Sequence, residues 1–435
     1  MLGVLAPQLV AQVYSLEQLK QASLENNRRI REAELNVEAS NEIVSNAFTN
    51  FFPSVNAQAV TMKATDYLLQ METPEMQLPV YDGDLSTSTD LFTYIPGLSI
   101  EALDYMNVGL VTAIQPLYTG GRIRTGYKLA KLGKEINEQA LDISTDEVLV
   151  TTEVYYWSLL SLQEKQETLA RYEKLLISLL NDVQTAFDAG LINQSDVLKV
   201  KLNLNEIASN KLKLKNGITL TKMALAQHAG LEYSEKLSIS DTSFTTISPF
   251  ELFFEPQLAV QQRTEIKMFG GVVTAEELKK KMTKGEYLPQ VAIGIQGQYL
   301  DLEDNPYSLG IAFATVSIPL SDWWGGSHKI QQHNIEIDIA QNNLEETSEL
   351  IQLQIQKAYT ELEESYLQIE VAESAVNQAS EYLKVSTDNY DAGIISTSDL
   401  LEAQALHQEA LDRLVDAQSV YQIKRIQYLQ SIAMI

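Results

Sequence analysis

The chain says the same thing twice. Residues 187–198 read FDAGLINQSDVL and residues 390–401 read YDAGIISTSDLL, seven identities in twelve positions at an offset of 203 residues. Two further blocks recur in the same order. NNRRIR and then FFPSV, around Pro53, answer QRTEIK and then YLPQV, around Pro289; PLYTGGR at 116–122 answers PLSDWWGGS at 319–327. A period of about 200 residues is far longer than the unit of a solenoid. The chain is therefore read as two copies of one large unit, residues 12–235 and 236–435, that combine into one pseudo-symmetric protomer.

Charge and residue usage remove several classes of function. The 435 residues carry 58 acidic against 32 basic side chains, a formal net charge of −26. That excess repels phosphate backbones, and no basic stripe with interleaved aromatics offsets it, so nucleic acid is not an expected partner. The absence of cysteine removes disulfides, thiolate metal sites and lipid-acylated cysteine. The longest apolar run, Leu2 to Val10, is shorter than the roughly 20 residues a spanning helix needs, so any membrane crossing must be by strands. Residues 1–11 resemble the apolar core and cleavage site of a secretory signal without its basic leader; the other reading is a frayed apolar N-terminus.

Within one copy the periodicity changes in a fixed order. Ser15-Leu16-Glu17-Gln18 has the spacing of a capping box, and a helix is expected from there to about Ala47. After Phe51 the pattern alternates. Val55, Ala57 and Ala59 share one parity and Ser54, Asn56 and Gln58 the other, as in a strand with one apolar face. A polar, acidic stretch at 68–100 with several prolines and glycines leads to a second strand, Tyr105 to Tyr118, where Val108, Leu110 and Ile114 keep one parity. The second copy repeats the pair at Gln290–Leu300 and Leu309–Leu320 with a shorter connection. Prolines 53, 289, 116 and 319 mark the helix-to-strand seams, because proline neither continues a helix nor donates to a ladder. Phe51, Phe52, Tyr118, Tyr287, Trp323 and Trp324 crowd the same seams, either as core or as an aromatic girdle at a membrane interface. Gly270-Gly271 is expected to interrupt the helix that precedes the second strand pair.

Long proline-free segments follow Gly120-Gly121 and Gly325-Gly326. In the second, Ile351, Ile355, Ala358, Leu362, Ser365, Ile369, Ala372, Val376, Ala379, Leu383, Ser386 and Tyr390 alternate spacings of four and three, a heptad seam. After the turn, Leu400, Ala403, His407, Ala410, Leu414, Ala417 and Tyr421 carry it back. A helix of about 65 residues would be of the order of 100 Å long. The expected fold is mainly α with a membrane β portion: long antiparallel coiled-coil hairpins plus four strands. Four strands cannot close a barrel, and lipid satisfies no open edge. Three chains would supply twelve strands and six helical hairpins, a 12-stranded barrel continuous with a helical tunnel.

The order helix, strand, loop, strand, long helix, Y/F-x-x-G turn, helix, written twice, with S-D-V/L-L after each turn and the LPQ-type junctions, resembles the TolC-like outer-membrane efflux channels over nearly the whole chain. The resemblance implies a homotrimeric passive conduit in the cell outer membrane, its helical tunnel in the periplasm, fed by an inner-membrane pump through a periplasmic adaptor protein. Carried over position by position, it implies that Ser195, Asp196, Tyr390, Asp399 and Glu402 ring the pore constriction. It also implies that the exposed tips around Phe187, Gly190, Tyr390 and Gly393 dock the adaptor. Ile395 stands where the family can carry an arginine, so the resemblance supplies no basic gating partner. Read from the residues alone, Asn193 and Ser396 suit helix N-caps, and Asp196 and Asp399 the third helical position, where a carboxylate favours the helix start; capping and a gate are compatible.

Chemistry has no foothold. His228, His328, His333 and His407 are scattered, with 328 and 333 off a common helical face, and read as surface or seam residues rather than metal ligands. No G-x-S-x-G elbow and no P-loop occurs, so neither an enzyme nor a cofactor is expected and any energy must come from a partner. The competing class is a soluble structural coiled-coil protein whose strand hairpins cap helical rods.

Overall fold

The computed structural model describes residues 13–79, 92–102, 104–241, 243–302 and 305–435. The apolar segment at 1–11 lies outside them. In chain order the elements are β1 (Val13–Tyr14), α1 (Leu16–Asn26), α2 (Arg28–Thr49), β2 (Ser54–Lys63), β3 (Leu69–Glu72), β4 (Met76–Pro79), β5 (Phe92–Ile95), β6 (Ser99–Ala102), β7 (Tyr105–Thr119), α3 (Arg122–Asp188) and α4 (Gln194–His228). The second series is β8 (Ser238–Ile239), α5 (Pro249–Leu252), α6 (Pro256–Gln262), α7 (Thr264–Glu286), β9 (Gln290–Leu302), β10 (Asn305–Ser317), α8 (Trp323–Asp391) and α9 (Thr397–Ser431). No described helix is long and apolar enough to cross a membrane. The chain forms two compact units, each drawing on both halves of the sequence: residues 1–41, 132–275 and 337–435 in one, and 42–131 and 276–336 in the other.

The unit of residues 42–131 and 276–336 is built on an antiparallel sheet in the order β10, β9, β7, β2. Directly paired residues of an antiparallel ladder share a face. The rungs Val55–Ala113–Ile295–Ala312 and Ala57–Val111–Gly297–Gly310 therefore make one face of small and apolar side chains. The rungs Asn56–Thr112–Gln296–Ile311 and Gln58–Leu110–Gln298–Leu309 make the other, amide-rich face. The apolar parity read in β7 from Val108, Leu110 and Ile114 thus lies with Asn56 and Gln58, opposite Val55, Ala57 and Ala59. β7 is apolar on both parities, so alternation alone does not orient it. β7 also runs past Pro116 to Thr119 through a bulge, whereas β10 stops at Ser317, ahead of Pro319. The described residues of the 68–100 stretch include strands where a loop is expected: β3 pairs β6 and β4 pairs β5, both nested in sequence between β2 and β7.

At the seam of this unit, Phe48, Phe51, Phe52 and Tyr127 stack at ring-centroid distances of 5.3 to 5.9 Å. Trp323 Nε1 donates to the Tyr287 carbonyl at 2.9 Å, and Trp324 is 85% exposed. Gly120, at φ 65°, lies so close to the end of α7 that a Cβ there would fall 2.2 Å from the Gly285 carbonyl oxygen. Only glycine fits that crossing.

The other unit is helical. α3 and α8 run 67 and 69 residues, about 100 Å each. The heptad pattern is a seam along α8: Ile351, Ile355, Leu362, Ser365, Ile369, Ala372 and Ser386 are buried and the intervening members half-buried. Leu362, at 0% exposure, shares a cluster with Ile355, Ile369, Tyr421 and Tyr428. The two halves are also stitched by polar groups, with Gln408 Nε2 donating to Thr168 Oγ1 at 3.0 Å and Lys165 pairing Asp416 at 2.6 Å.

The capping box at Ser15 forms, with Ser15 N donating to Gln18 Oε1 at 2.9 Å and Gln18 N to Ser15 Oγ at 3.2 Å. The helix it starts does not run unbroken to Ala47. It breaks at Asn27, extended at φ −68° and ψ 132°, and the second copy breaks at Arg263, at φ −64° and ψ 132°. These are equivalent positions of the NNRRIR and QRTEIK blocks. Asn27 Nδ2 donates to the His228 carbonyl at 2.8 Å, and Arg263 Nη1 donates to the Gln430 carbonyl. Each break thus places a side-chain donor on a carbonyl in the last turn of the returning helix of its own copy. Gly270-Gly271, by contrast, lies inside an unbroken α7. A Cβ on Gly271 would sit 3.2 Å from Ile136 Cγ1, so that glycine admits a close helix approach rather than a break.

Candidate functional site at the hairpin turns

Both long hairpins reverse by the same device. After α3, Leu191 N donates to the Ala186 carbonyl at 2.9 Å and Gly190 N to Phe187 at 2.8 Å; after α8, Ile394 N donates to Asn389 at 2.8 Å and Gly393 N to Tyr390 at 2.9 Å. This six-to-one closure needs a left-handed residue, and Gly190 and Gly393 supply it at φ 73° and 70°. The two turns share one hydrophobic cluster. Val197, Val200, Leu400 and Leu401 are among its buried members, with Phe187, Ile192 and Tyr390 packed partly buried against it. The sequence-derived residues are therefore brought to one end of this unit.

Equivalent in sequence, the two acids are held differently. Ser396 and Asp399 form a complete capping box: Ser396 N and Oγ donate to Asp399 Oδ2 at 2.9 and 2.8 Å, and Asp399 N donates to Ser396 Oγ at 3.3 Å. These bonds, chiefly those from Ser396, hold the Asp399 carboxyl below its ordinary value of 3.8. Asn193 occupies the corresponding N-cap position of α4 but makes no side-chain cap bond. Asp196 instead faces Lys199, one turn along the same helix, with Nζ 3.5 Å from Oδ1. Lys199 Nζ also donates to Ser398 Oγ at 2.6 Å, which ties the start of α4 to the start of α9. Ser195 and Glu402 are exposed, and the Tyr390 hydroxyl lies 3.5 Å from Thr397 Oγ1.

Lys199 is the residue that the sequence reading missed. Its signal was present, because a lysine three positions after Asp196 falls on the same helical face. The contact to Ser398, 199 residues away, was not readable. What the arrangement offers chemically is two held carboxylates, Asp196 and Asp399, an exposed third at Glu402 and one cation, Lys199, at a pair of glycine turns. Among the described residues, none of these acids belongs to a group that could hold a metal ion.

The model of the outer membrane efflux protein family matches residues 19–231 and 272–432. Comparison with curated proteins gives no match. Among solved structures, the outer-membrane channel OprN is similar with a TM-score of 0.77 at 15% identity, covering 97% of this chain and 90% of that one. VceC of Vibrio cholerae is similar with a TM-score of 0.74 at 16% identity, covering 96% and 95%, and the CmeC channel of Campylobacter jejuni with 0.76 at 15%, covering 96% and 85%. At such identities the structures establish a common fold, and the family model spans both halves of the chain. The protein belongs to the outer membrane efflux protein family.

Proposed function

We propose that this chain is the outer-membrane duct of a three-part export machine, acting as a homotrimer whose twelve strands close a barrel in the lipid. The observation that carries the proposal is the sheet itself: four antiparallel strands with β10 and β2 at unpaired edges. In hydrocarbon an unpaired strand edge strands one donor or acceptor after another, each at a cost of several kcal/mol, so the edges must meet other copies. The small apolar face through Val55, Ala57, Val111 and Ile295 suits lipid, and the amide-rich face through Gln58, Gln296 and Gln298 suits a watered lumen. In this reading residues 12–235 and 236–435 are the two structural repeats of one protomer.

The hairpin turns form the far end of the duct. Ser195, Asp196, Tyr390, Asp399 and Glu402 narrow it, and three copies of each acid favour cations there. The exposed tips at Phe187, Gly190, Tyr390 and Gly393 meet a periplasmic adaptor that couples the duct to an inner-membrane pump. The conduit is passive and carries out no reaction. The test is fractionation and electrophoresis of the full chain: it should sediment with outer membranes and run as a trimer that heating converts to monomer. Recovery as a soluble monomer would leave the rod-like coiled-coil protein as the better account.

A further inference from the structure

Away from the turns, within the unit of residues 42–131 and 276–336, α7 and α8 bring three ligand-bearing side chains together. One ligand atom from each of Glu276, His333 and Glu336 lies within 4.8 Å of the others, and all three residues are partly buried. His333 Nδ1 is buried and makes no hydrogen bond, although Glu336 Oε2 stands 2.7 Å away. The approach is close but not along a donor axis. Two ligand atoms that converge side by side are placed as neighbours around a common third atom. The other imidazole nitrogen, Nε2, lies 2.9 Å from Thr283 Oγ1 on α7. In the tautomer whose proton sits on Nε2 and is donated to that hydroxyl, Nδ1 keeps a bare lone pair facing a carboxylate oxygen, and a cation held between the two turns that repulsion into attraction.

The surroundings orient the carboxylates. Gln332 Nε2 donates to Glu336 Oε1 at 2.9 Å, so the oxygen nearest His333 is the other one. Lys279 Nζ holds Glu276 Oε1 at 2.7 Å, fixing that side chain while lending one positive charge to the cluster. An imidazole whose far nitrogen is hydrogen-bonded, beside carboxylates held by outer partners, is how proteins orient metal ligands. We propose that Glu276, His333 and Glu336 bind a divalent transition-metal ion, zinc by the nature of the donors, and thereby clamp α7 to α8.

One imidazole and two carboxylates suit zinc, and three protein ligands leave a fourth position for water. Ligand atoms in a tetrahedral zinc shell lie about 3.4 Å apart, given bonds of about 2.0 to 2.2 Å. The three ligand atoms, all within 4.8 Å of one another on two neighbouring helices, already lie near that spacing. The sequence reading set His333 aside because His328 shares no face with it, a test made along one helix. The ligands come instead from two helices, with Glu276 and His333 more than fifty residues apart in sequence.

The experiment is zinc titration by calorimetry of the full-length detergent-solubilised protein, with millimolar magnesium and calcium present to occupy the chain's many surface carboxylates. The expected result is one saturable zinc site per chain, weakened at least 100-fold by His333→Ala and at least tenfold by Glu336→Gln, and unchanged in His328→Ala. Zinc should also raise the melting temperature of wild type but not of Glu336→Gln, which serves if His333→Ala fails to fold. Absence of a saturable site, or a site indifferent to both His333→Ala and Glu336→Gln, would overturn the proposal.

Discussion

Lys199 is the side chain whose removal should do most at the turns. It bridges the two hairpins through Ser398 and neutralises Asp196. With lysine 48% and aspartate 21% exposed, the ion pair is screened and contributes less than about 1 kcal/mol. A hydrogen bond from a charged donor is worth about 1.5–3 kcal/mol in favourable settings, and exposure here brings it to about 1 kcal/mol. The ion pair lies within α4 and survives separation of the tips, so Lys199→Met loosens each protomer by about 1 kcal/mol through the lost Ser398 contact, a factor of roughly 5 in the population of separated tips. If three protomers open in concert, the energies add to about 3 kcal/mol, about 100-fold. Single-channel recording in planar bilayers reads this directly, as longer or wider openings than in wild type. Ser398→Ala should reproduce the effect, and the double variant should add little beyond either single change, since both remove one contact. Wild-type openings in Lys199→Met, or additive effects in the double variant, would refute the idea that this contact holds the tips together.

Other expectations follow from the same geometry. Leu362→Ala should destabilise the helical packing around Ile355, Ile369 and Tyr421 by about 2 to 5 kcal/mol through the cavity it leaves, read in thermal melts, and Leu362→Lys should abolish folding and with it any assembly; a lysine variant that folds and assembles normally would mean the seam is misassigned. Ser396→Ala should cost about 1 kcal/mol at the start of α9, while Asn193→Ala should cost almost nothing at the start of α4, because only the first makes a side-chain cap; hydrogen exchange at the two helix starts distinguishes them. The depressed Asp399 carboxyl stabilises its turn above the ordinary carboxylate range, and that contribution is lost as pH falls below 3.8 through the lower folded value, so intrinsic-rate-corrected protection near residue 399 should drop there and be independent of pH in Asp399→Asn. His228 is held below its ordinary 6.5 chiefly by burial, so the join of α1 to α4 should be fully stable above that pH and weaken as acidification protonates the unfolded state first; His228→Gln should flatten that dependence in thermal melts.

Local and periodic information carried most of the fold. The heptad from Ile351 to Tyr390 marks the seam because each member needs only to be apolar or small on one helical face, and every one is buried or half-buried. The turn glycines and the Ser15 box were legible for the same reason, since a left-handed backbone and a cap are local demands. What escaped the sequence depends on distant partners. The breaks at Asn27 and Arg263 involve neither proline nor glycine, and are held by bonds to the ends of α4 and α9. Gly270-Gly271 looked like a break, yet α7 runs through it unbroken, and Gly271 is a point of close packing against α3. The orientation of β7 needed its register, because both of its parities are apolar. At the turns the residues were identified from the repeat, but the repeat implied that Asp196 and Asp399 would behave alike. Their different neighbours, Lys199 for one and Ser396 for the other, arise from the positions where the two copies diverge, Asn193 against Ser396 and Lys199 against Ala403's neighbour Glu402.

The account stands or falls on whether the purified chain conducts ions through an acidic constriction, and reversal potentials across a planar bilayer under a salt gradient measure that. The account predicts discrete cation-selective channels whose selectivity and block by multivalent cations both diminish in the combined Asp196→Asn and Asp399→Asn variant, since asparagine keeps a cap acceptor while removing the charge. Absence of channels, or channels with the same selectivity and block in wild type and variant, would contradict it.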